Sequence, residues 1–144
     1  MPAGNTLRGR LRGLADSIRL KLQRRSTTGA RGEQLAAGML KKKHYRLMAR
    51  NLRNRFGEID IVALAPDSKT VVIVEVKTAE DVKALPELRV DHHKQRRLTA
   101  LAAQAVRRYK LQDRPIRFDV VAVNLPPGAD PVIRHYEAAF ESHV

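Results

Sequence analysis

Two runs of β-branched residues predict a β-hairpin near the middle of the chain. The first run covers residues 57–64 and the second covers residues 70–77, and both are rich in Ile and Val, the residue types that favour strands. Between them, Pro66-Asp67-Ser68-Lys69 has the composition of a tight turn. The hydrophobic pattern therefore indicates two antiparallel strands joined by a short connection.

An even-length turn centred on this tetrapeptide places Asp60 directly opposite Glu75. The same face carries the pairs Leu64–Val71, Val62–Ile73 and Glu58–Lys77, and the other face carries the apolar pairs Ala63–Val72, Ile61–Val74 and Ile59–Val76. A register shift of one residue would send Asp60 and Glu75 to different faces, and such shifts are penalised wherever one face is buried. We therefore expect the Cβ atoms of the two acids to lie about 4.5–5.5 Å apart.

The remaining periodicity predicts two helices and three further strands. Helical spacing covers residues 32–40 and 90–110, strand-like runs cover 45–53, 116–123 and 132–136, and residues 78–93, which include Pro86, are predicted to be a loop. The order helix, three strands, helix, strand, strand indicates an α/β fold with a mixed sheet. The three-stranded start should be antiparallel, and the strand after the long helix should be parallel to its partner through a right-handed crossover.

Residues 1–28 differ in composition from the domain predicted over residues 29–144. They hold seven Lys and Arg residues against the single acid Asp16, and their leucines recur at helical spacing, which predicts a basic amphipathic helix. Three interpretations stay open: an extension that is packed on the domain or partly disordered, a nucleic-acid-binding arm, and a helix on a membrane surface. The Arg-rich, acid-poor composition is also typical of a transit peptide.

Charge and composition narrow the class of partner. The 144 residues carry a formal net charge of +13, no cysteine and only 4% aromatic residues. The positive excess indicates a polyanionic partner, either nucleic acid or an acidic membrane surface. With so few aromatic platforms, we expect contacts along a duplex or branched backbone rather than base stacking along single strands. No apolar run reaches the ~20 residues of a membrane span, and no secretory signal is evident, so a cytoplasmic protein is expected.

The opposed carboxylates Asp60 and Glu75 suggest a metal site. Like charges directly opposite each other destabilise a sheet, and Mg²⁺ is usually held by one or two carboxylates together with water and phosphate oxygens. Lys77 projects from the same face two residues later. A solvated strand edge is the alternative, but both strands are apolar runs that are typical of burial on both faces. This cluster predicts a Mg²⁺ or Mn²⁺ site suited to phosphodiester hydrolysis.

Several spaced motifs resemble those of the YraN-like family of bacterial proteins. They are Arg31-Gly32-Glu33, Arg50-Asn51, residues 57–62, residues 74–77, Lys94 with Arg97-Leu98, residues 117–121 and Ala139-Phe140. That family is similar to the PD-(D/E)xK nuclease superfamily, which includes the archaeal Holliday-junction resolvases. The resemblance covers roughly residues 30–140 and implies a restriction-endonuclease-like mixed β-sheet flanked by helices. The chain departs from the family pattern at Ala79, where an arginine is usual.

The resemblance implies a role for each residue of the cluster. Asp60 and Glu75 would ligate the metal, and the main-chain carbonyl of Val76 would be a third ligand. Lys77 would orient or activate the attacking water and stabilise the charge that develops on phosphorus. Glu33 would hold the metal through water or bind a second ion. The alternative for Glu33 is a favourable carboxylate at a helix N-terminus.

Other polar residues have two interpretations each. Candidate nucleic-acid contacts are Arg31, Arg50, Arg53, Lys94, Gln95 and Arg97. For Lys94 and Gln95 a solvated helix face is the alternative. Glu58 is expected to position Lys77 through a salt bridge, Asp119 to be a hydrogen-bonded structural acid, and His92 and His93 to lie on the surface.

These observations support three functional hypotheses. The first is a Mg²⁺-dependent DNA endonuclease that acts on branched or junction DNA, with a homodimer as a further hypothesis. The second is a non-catalytic nucleic-acid-binding module of the same fold. The third is a membrane-surface or partner-docking role for residues 1–28.

Overall fold

We describe residues 27–80, 91–108 and 110–141 of a computed structural model of the chain. Their helices and strands follow the predicted order. In chain order they are α1 (Thr27–Lys42), β1 (Arg46–Asn54), β2 (Gly57–Leu64), β3 (Val71–Ala79), α2 (His92–Arg108), β4 (Ile116–Asn124) and β5 (Val132–Phe140). No helix in this part of the chain is both long and apolar enough to cross a bilayer.

The five strands form one mixed sheet in the order β1-β2-β3-β4-β5. Neighbouring strands are antiparallel except for β3 and β4, which are parallel and are separated in sequence by α2. The predicted α/β class and the predicted strand directions are therefore confirmed. The predicted hairpin register is also confirmed, since Leu64 pairs with Val71 and Ile61 pairs with Val74.

The turn between β2 and β3 is held by the side chain of Asp67. Its Oδ1 atom accepts hydrogen bonds from the N–H groups of Lys69 and Thr70, at 2.8 and 2.9 Å. Its Oδ2 atom accepts the hydroxyl of Thr70 at 2.6 Å. An aspartate that bonds the backbone two and three residues later stabilises a tight turn, and this turn sets the register of the two strands.

Helix α1 begins five residues earlier than predicted and ends in a Schellman motif. The N–H of Tyr45 donates to the Leu40 carbonyl and the N–H of His44 donates to the Lys41 carbonyl. His44, in the connection between the helix and β1, has a φ of 67°, as the C′ position of this motif requires. The early start places Glu33 in the second turn, so the alternative of a carboxylate at the helix N-terminus is wrong.

Two apolar layers cover the two faces of the sheet. Helix α2 packs on the first face through Leu98, Leu101 and Ala102, and α1 packs on the second through Ala36, Ala37 and Leu40. At Gly32 of α1, an added Cβ atom would clash with the Thr78 hydroxyl oxygen. Only glycine therefore lets α1 approach β3 this closely, directly behind the strand segment that carries Glu75.

Several predicted boundaries differ from the structure or lie outside it. The predicted loop over 78–93 begins later than expected, because β3 continues to Ala79, and residues 81–90 lie outside the described residues. The last strand is four residues longer than predicted and ends at Phe140. Most of the basic segment 1–28 also lies outside the described residues, which begin at Thr27.

Candidate metal and nucleic-acid site

Asp60 interrupts the backbone ladder between β2 and β3. Within these two described strands, the paired residues run from Leu64–Val71 to Ile61–Val74 and stop there. At the next position, the Oδ2 atom of Asp60 accepts the N–H of Val76 at 2.8 Å. A carboxylate therefore takes the place of a main-chain acceptor, and the predicted Asp60–Glu75 neighbourhood is made by side chains rather than by the ladder itself.

The interruption changes which face the next residue occupies. Ile59 packs on the α2 face with Leu52 and Val62, whereas Val76 packs on the α1 face. The predicted apolar pair Ile59–Val76 is therefore wrong. On the neighbouring strand, Asn51 has a φ of 56°, which shows that the regular alternation of β1 also breaks opposite Asp60.

Glu75 and Asp60 are buried together, and the repulsion between their two negative charges is seen in the pKa of Glu75. Their exposed fractions are 5% and 9%. Burial and the negative charge of Asp60, in that order, raise the pKa of Glu75 from its ordinary value of 4.5 to about 7, although Lys94 acts in the opposite direction. Two carboxylates that share one low-dielectric site resist simultaneous ionisation. The charge conflict that the sequence predicts is thus present in the fold.

Lys94, in the first turn of α2, is the cation that contacts Glu75. Its ammonium nitrogen forms a salt bridge with the Oε1 atom of Glu75, while its side chain is 45% exposed. Asp91 caps the helix, because its Oδ1 atom accepts the Lys94 N–H at 2.8 Å, as an N-cap residue does. The cap fixes the first turn and thereby places Lys94 at the acids. A purely solvated helix face is therefore wrong for Lys94.

An open cavity of about 440 Å³ contains the two acids. Its described lining residues are Arg53, Asn54, Arg55, Phe56, Gly57, Glu58, Asp60, Glu75, Lys94, Arg97 and Leu98. Four of these side chains are cationic and three are acidic. Hence three of the six predicted nucleic-acid contacts, Arg53, Lys94 and Arg97, lie around the predicted metal ligands.

The donor atoms at this site suit a hard divalent cation. Asp60 and Glu75 supply carboxylate oxygens, which Mg²⁺ and Mn²⁺ prefer. The N–H of Val76 points to Asp60, and the C=O of a strand residue points towards the same neighbouring strand as its N–H. The Val76 carbonyl is therefore directed to the same gap. Two carboxylates, and by this strand geometry one main-chain oxygen, are the oxygen atoms that a cation bound here would use.

Glu33 does not complete a three-acid cluster. Among the described residues, no three His, Cys, Asp or Glu side chains are grouped closely enough to hold one ion. Glu33 is nevertheless 95% buried in α1, one residue after the glycine that contacts Thr78. It therefore approaches β3 through the α1 side of the sheet, opposite the face on which α2 packs.

The remaining predicted residues are distributed over the surface and the site margin. Lys77 is half-buried on β3. The pKa of Asp91 is lowered chiefly by the hydrogen bond from the Lys94 N–H, and the charge of Lys77 contributes to the same shift. Glu58 forms a salt bridge with Arg53 at 3.2 Å, and its predicted pairing with Lys77 stays a prediction. His92 and His93 are exposed, as predicted.

The other three candidate contacts lie away from the acids. Arg31 lines a separate cavity beside the loop that follows β4. Arg50 is exposed on β1, and Gln95 lines a groove on the outer side of α2. None of the three is among the described residues that line the cavity around Asp60 and Glu75.

Asn54 and Phe56, at the tip of the β1–β2 hairpin, were not predicted to belong to the site. Asn54, Arg55 and Phe56 line the acidic cavity, and the Arg55 guanidinium lies over the Phe56 ring at 4.6 Å from its centroid. A sequence signal existed, because a basic cluster with one aromatic residue directly precedes the Gly57-Glu58 start of β2. Its position could not be deduced before the tip was known to meet α2.

Asp119 is a further buried acid, which lies on the α1 face and has a different environment from Asp60 and Glu75. Arg117 donates to both of its carboxylate oxygens at 2.8 Å. His135 bonds to Oδ2 at 2.7 Å, and the Ala138 N–H donates to Oδ1 at 3.0 Å. Burial alone would raise the pKa of Asp119, but these hydrogen bonds outweigh it and the pKa is lowered. The prediction of a hydrogen-bonded structural acid is confirmed.

Comparison with known proteins identifies the family. Residues 32–123 match the uncharacterised protein family UPF0102. A UPF0102 protein of Pelobacter propionicus is 43% identical over 115 residues, which cover 79% of this chain and 82% of that protein. The UPF0102 protein of Geotalea daltonii is 40% identical over 80% of this chain and 90% of its own length. That of Geobacter sulfurreducens is 43% identical over 78% and 88% of the two chains.

The matched region contains β1 to β3, α2 and nearly all of β4, and therefore Asp60 and Glu75. The resemblance to the YraN family, which is the same family, is confirmed. The chain belongs to the uncharacterised bacterial protein family UPF0102.

Proposed function

We propose that this protein is a Mg²⁺-dependent DNA endonuclease with a restriction-endonuclease-like fold. The observation that carries the proposal is the burial of Asp60 beside Glu75 in a cavity rimmed by four cationic side chains. A like-charged buried pair lowers stability, so its presence calls for a ligand of opposite charge. A divalent ion between Asp60 and Glu75 would account for the acidic side chains of the cavity, and a phosphate bound by its cationic side chains would account for the others.

Each residue of the cavity has a role in this proposal. Asp60 and Glu75 would hold the metal, and the Val76 carbonyl would complete the protein ligands. A bound Mg²⁺ supplies Lewis-acid polarisation of a phosphoryl oxygen and lowers the pKa of a coordinated water. Arg53 and Arg97 would bind the phosphates that flank the scissile bond, as guanidinium groups do in a bidentate manner.

Lys94 and Lys77 have different roles in this proposal. Lys94 would neutralise Glu75 when no metal is bound. Once a metal is bound, Lys94 would contact a phosphate oxygen instead, because its side chain is half-exposed and can move. Lys77 would orient the attacking water and stabilise the charge that develops as water adds to phosphorus and the bond to the leaving oxygen breaks. The proposal thus separates a resting counter-ion from a catalytic ammonium.

The test is cleavage of labelled DNA by the purified full-length protein. Linear duplex, flap and four-way-junction substrates are incubated with Mg²⁺ or Mn²⁺. The wild-type protein should cut at least one of them, and Asp60→Asn and Glu75→Gln should not. Asp130→Asn is the matched control, because Asp130 is exposed in the β4–β5 loop and lies away from the acid cavity; it should retain full activity.

Two outcomes contradict the proposal. Either no substrate is cut under any metal condition, or cutting persists at the wild-type rate in Glu75→Gln. A contaminating nuclease is recognised by the second outcome, since its activity would be independent of the substitution.

The salt bridge between Lys94 and Glu75 favours a second candidate function, a non-catalytic nucleic-acid-binding module. In that case Lys94 permanently replaces the metal. DNA binding would then fall steeply with salt but would be the same with and without Mg²⁺, and Asp60→Asn would leave it unchanged.

A further inference from the structure

Phe56 is a large apolar side chain held in solvent beside the acid cavity. It is 52% exposed, and among the described residues only one other large hydrophobic, Val132, is comparably exposed, at 46%. An isolated exposed apolar residue is common and needs no explanation. Phe56 differs from Val132 because it lines the cavity that holds Asp60 and Glu75.

The hairpin tip that carries Phe56 is fixed to helix α2. The amide of Asn54 donates to the Gln104 side chain at 3.1 Å. Gly57 has a φ of 151°, and a Cβ atom there would lie 3.0 Å from Arg97 and 3.2 Å from Leu101. These two contacts lie on either side of Phe56 and attach the tip to α2.

The backbone of Phe56 itself is also constrained. Its N–H donates to Oδ1 of Asn54 at 2.8 Å, which closes the two-residue connection between β1 and β2. The ring is therefore presented on a fixed support rather than on a free loop. Its exposure is a property of the fold, since hydrophobic residues on unconstrained tips would turn inward where they could.

The groups around the ring are those that bind nucleic acid. The Arg55 guanidinium lies over the ring at 4.6 Å, and Arg53 is anchored by Glu58. Aromatic and guanidinium planes stack on unpaired bases, and arginine guanidinium groups bind phosphate oxygens.

We propose that Phe56 is a stacking wedge that recognises an unpaired base next to the scissile phosphate. The substrate class is DNA with one interruption of base stacking, such as a fork, a flap or a junction. Apolar side chains inserted at base steps separate stacked bases and stabilise such distortions. The proposal rests on the proposed nuclease function and deepens it, because it names the DNA structure that the same cavity would select.

One aromatic residue suits one interruption. Proteins that bind continuous single strands present a series of aromatic platforms, whereas the described surface exposes a single aromatic side chain of this kind. Continuous duplex offers no open base face to stack on. A branch point offers one or two, together with the closely spaced phosphates that the cationic rim would neutralise.

The test measures binding without metal, so that cleavage does not contribute. Full-length protein is titrated into a fluorescent forked DNA and into a fully paired duplex of the same length, in EDTA. Wild type should bind the fork more tightly than the duplex. Phe56→Ala should weaken fork binding by about fivefold to a hundredfold, the range for loss of one stacked base, and should leave duplex binding unchanged.

Three variants serve as controls. Phe56→Trp should retain the fork preference because it keeps a stacking face, and Phe56→Leu, which stays apolar but has no ring, should weaken it. Val132→Ala removes the other exposed hydrophobic and should change neither affinity. A 2-aminopurine placed at the unpaired position should be quenched by wild type and by Phe56→Trp, and remain bright with Phe56→Ala.

The outcomes separate this inference from the nuclease proposal. Loss of fork preference in Phe56→Ala without any cleavage by wild type supports the wedge and contradicts the nuclease. Glu75-dependent cleavage with an unchanged fork preference in Phe56→Ala contradicts the wedge alone. Absence of any binding to the forked DNA, or equal losses of fork and duplex affinity in Phe56→Ala, also overturns the wedge.

Discussion

The two faces of one sheet hold buried acids in opposite states. On the α1 face, Asp119 receives hydrogen bonds from Arg117, His135 and a main-chain N–H, and its pKa is lowered. On the α2 face, Glu75 lies beside Asp60 and its pKa is raised to about 7. The first arrangement stabilises the fold. The second opposes it, and such local conflict is typical of functional sites.

The comparison teaches how to distinguish a structural acid from a functional one. Both acids lie on central strands, and neither could be left uncompensated inside a protein. The difference lies in the partners, since Asp119 has protein cations and hydrogen-bond donors around it whereas Glu75 has a second acid and one half-exposed lysine.

The largest expected effect is on catalysis. Glu75→Gln should reduce the rate of DNA cleavage by at least about a thousandfold, because it removes a metal ligand and with it the electrostatic stabilisation of the transition state. The same substitution should not lower the stability of the metal-free protein, since it removes one of two negative charges that face each other. Gel-based cleavage assays measure the loss of activity, and urea unfolding measures the stability. A stability loss in Glu75→Gln as large as that in Asp119→Asn would contradict the distinction between a functional and a structural acid.

Asp119→Asn should have the opposite profile. It leaves Arg117 and the buried His135 without their anion, and breaking a buried ion pair from one side costs about 3 kcal/mol of unfolding free energy. Cleavage per folded molecule should stay within a few-fold of wild type. Urea unfolding measures the loss, and Asp113→Asn, at an exposed acid, is the control that should change stability little.

The two acids should also give stability opposite dependences on pH. Glu75, which faces Asp60 and Lys94, binds a proton more tightly in the folded state. The unfolding free energy of the metal-free protein should therefore fall by about 2 kcal/mol as pH rises from 4.5 to 7. Asp119 binds its proton less tightly when folded. Its contribution is present above pH ~4 and is lost as pH falls through its lowered pKa.

Urea unfolding over this pH range checks the prediction. Glu75→Gln should flatten the decline between pH 4.5 and 7 and leave the loss at lower pH intact. A decline that persists unchanged in Glu75→Gln would mean that another group causes it.

The smallest expected effect concerns Lys94. Because its salt bridge is half-exposed, it contributes about 1 kcal/mol at most, so Lys94→Met should tighten Mg²⁺ binding by no more than about fivefold. The same variant should weaken DNA binding and reduce its salt dependence by about one phosphate contact. Lys41→Met is the control at an exposed position. Weaker metal binding in Lys94→Met would contradict the role of a competing counter-ion.

The sequence predicted the hairpin because its information is local. The period of two in residues 57–64 and 70–77 and the Asp67 turn determine the register together, and the crossover rule then determines the direction of β4. The buried Asp119 was also predictable, since an acid within an apolar strand must have partners. By contrast, the start of α1 was missed because Thr27 and Thr28 carry no apolar periodicity.

The site was only partly predictable because it depends on tertiary placement. The Asp60–Glu75 neighbourhood followed from register, but the bond from the Val76 N–H to Asp60 replaces a ladder pair and shifts Ile59 to the other face. Lys94 and Phe56 reach the acids only because α2 and the hairpin tip meet at Gly57. No spacing rule relates those segments, which lie more than thirty residues apart in the chain.

The central claim is that Asp60 and Glu75 together bind one divalent cation. Calorimetric titration of Mg²⁺ or Mn²⁺ into the purified full-length protein tests it most directly, since it requires no knowledge of the substrate. Wild type should bind the ion with a saturable heat, and Asp60→Asn and Glu75→Gln should each abolish it, whereas Asp119→Asn should retain it at a temperature where the variant is folded. Saturable binding that persists in both Asp60→Asn and Glu75→Gln, or no binding by wild type, would contradict the account.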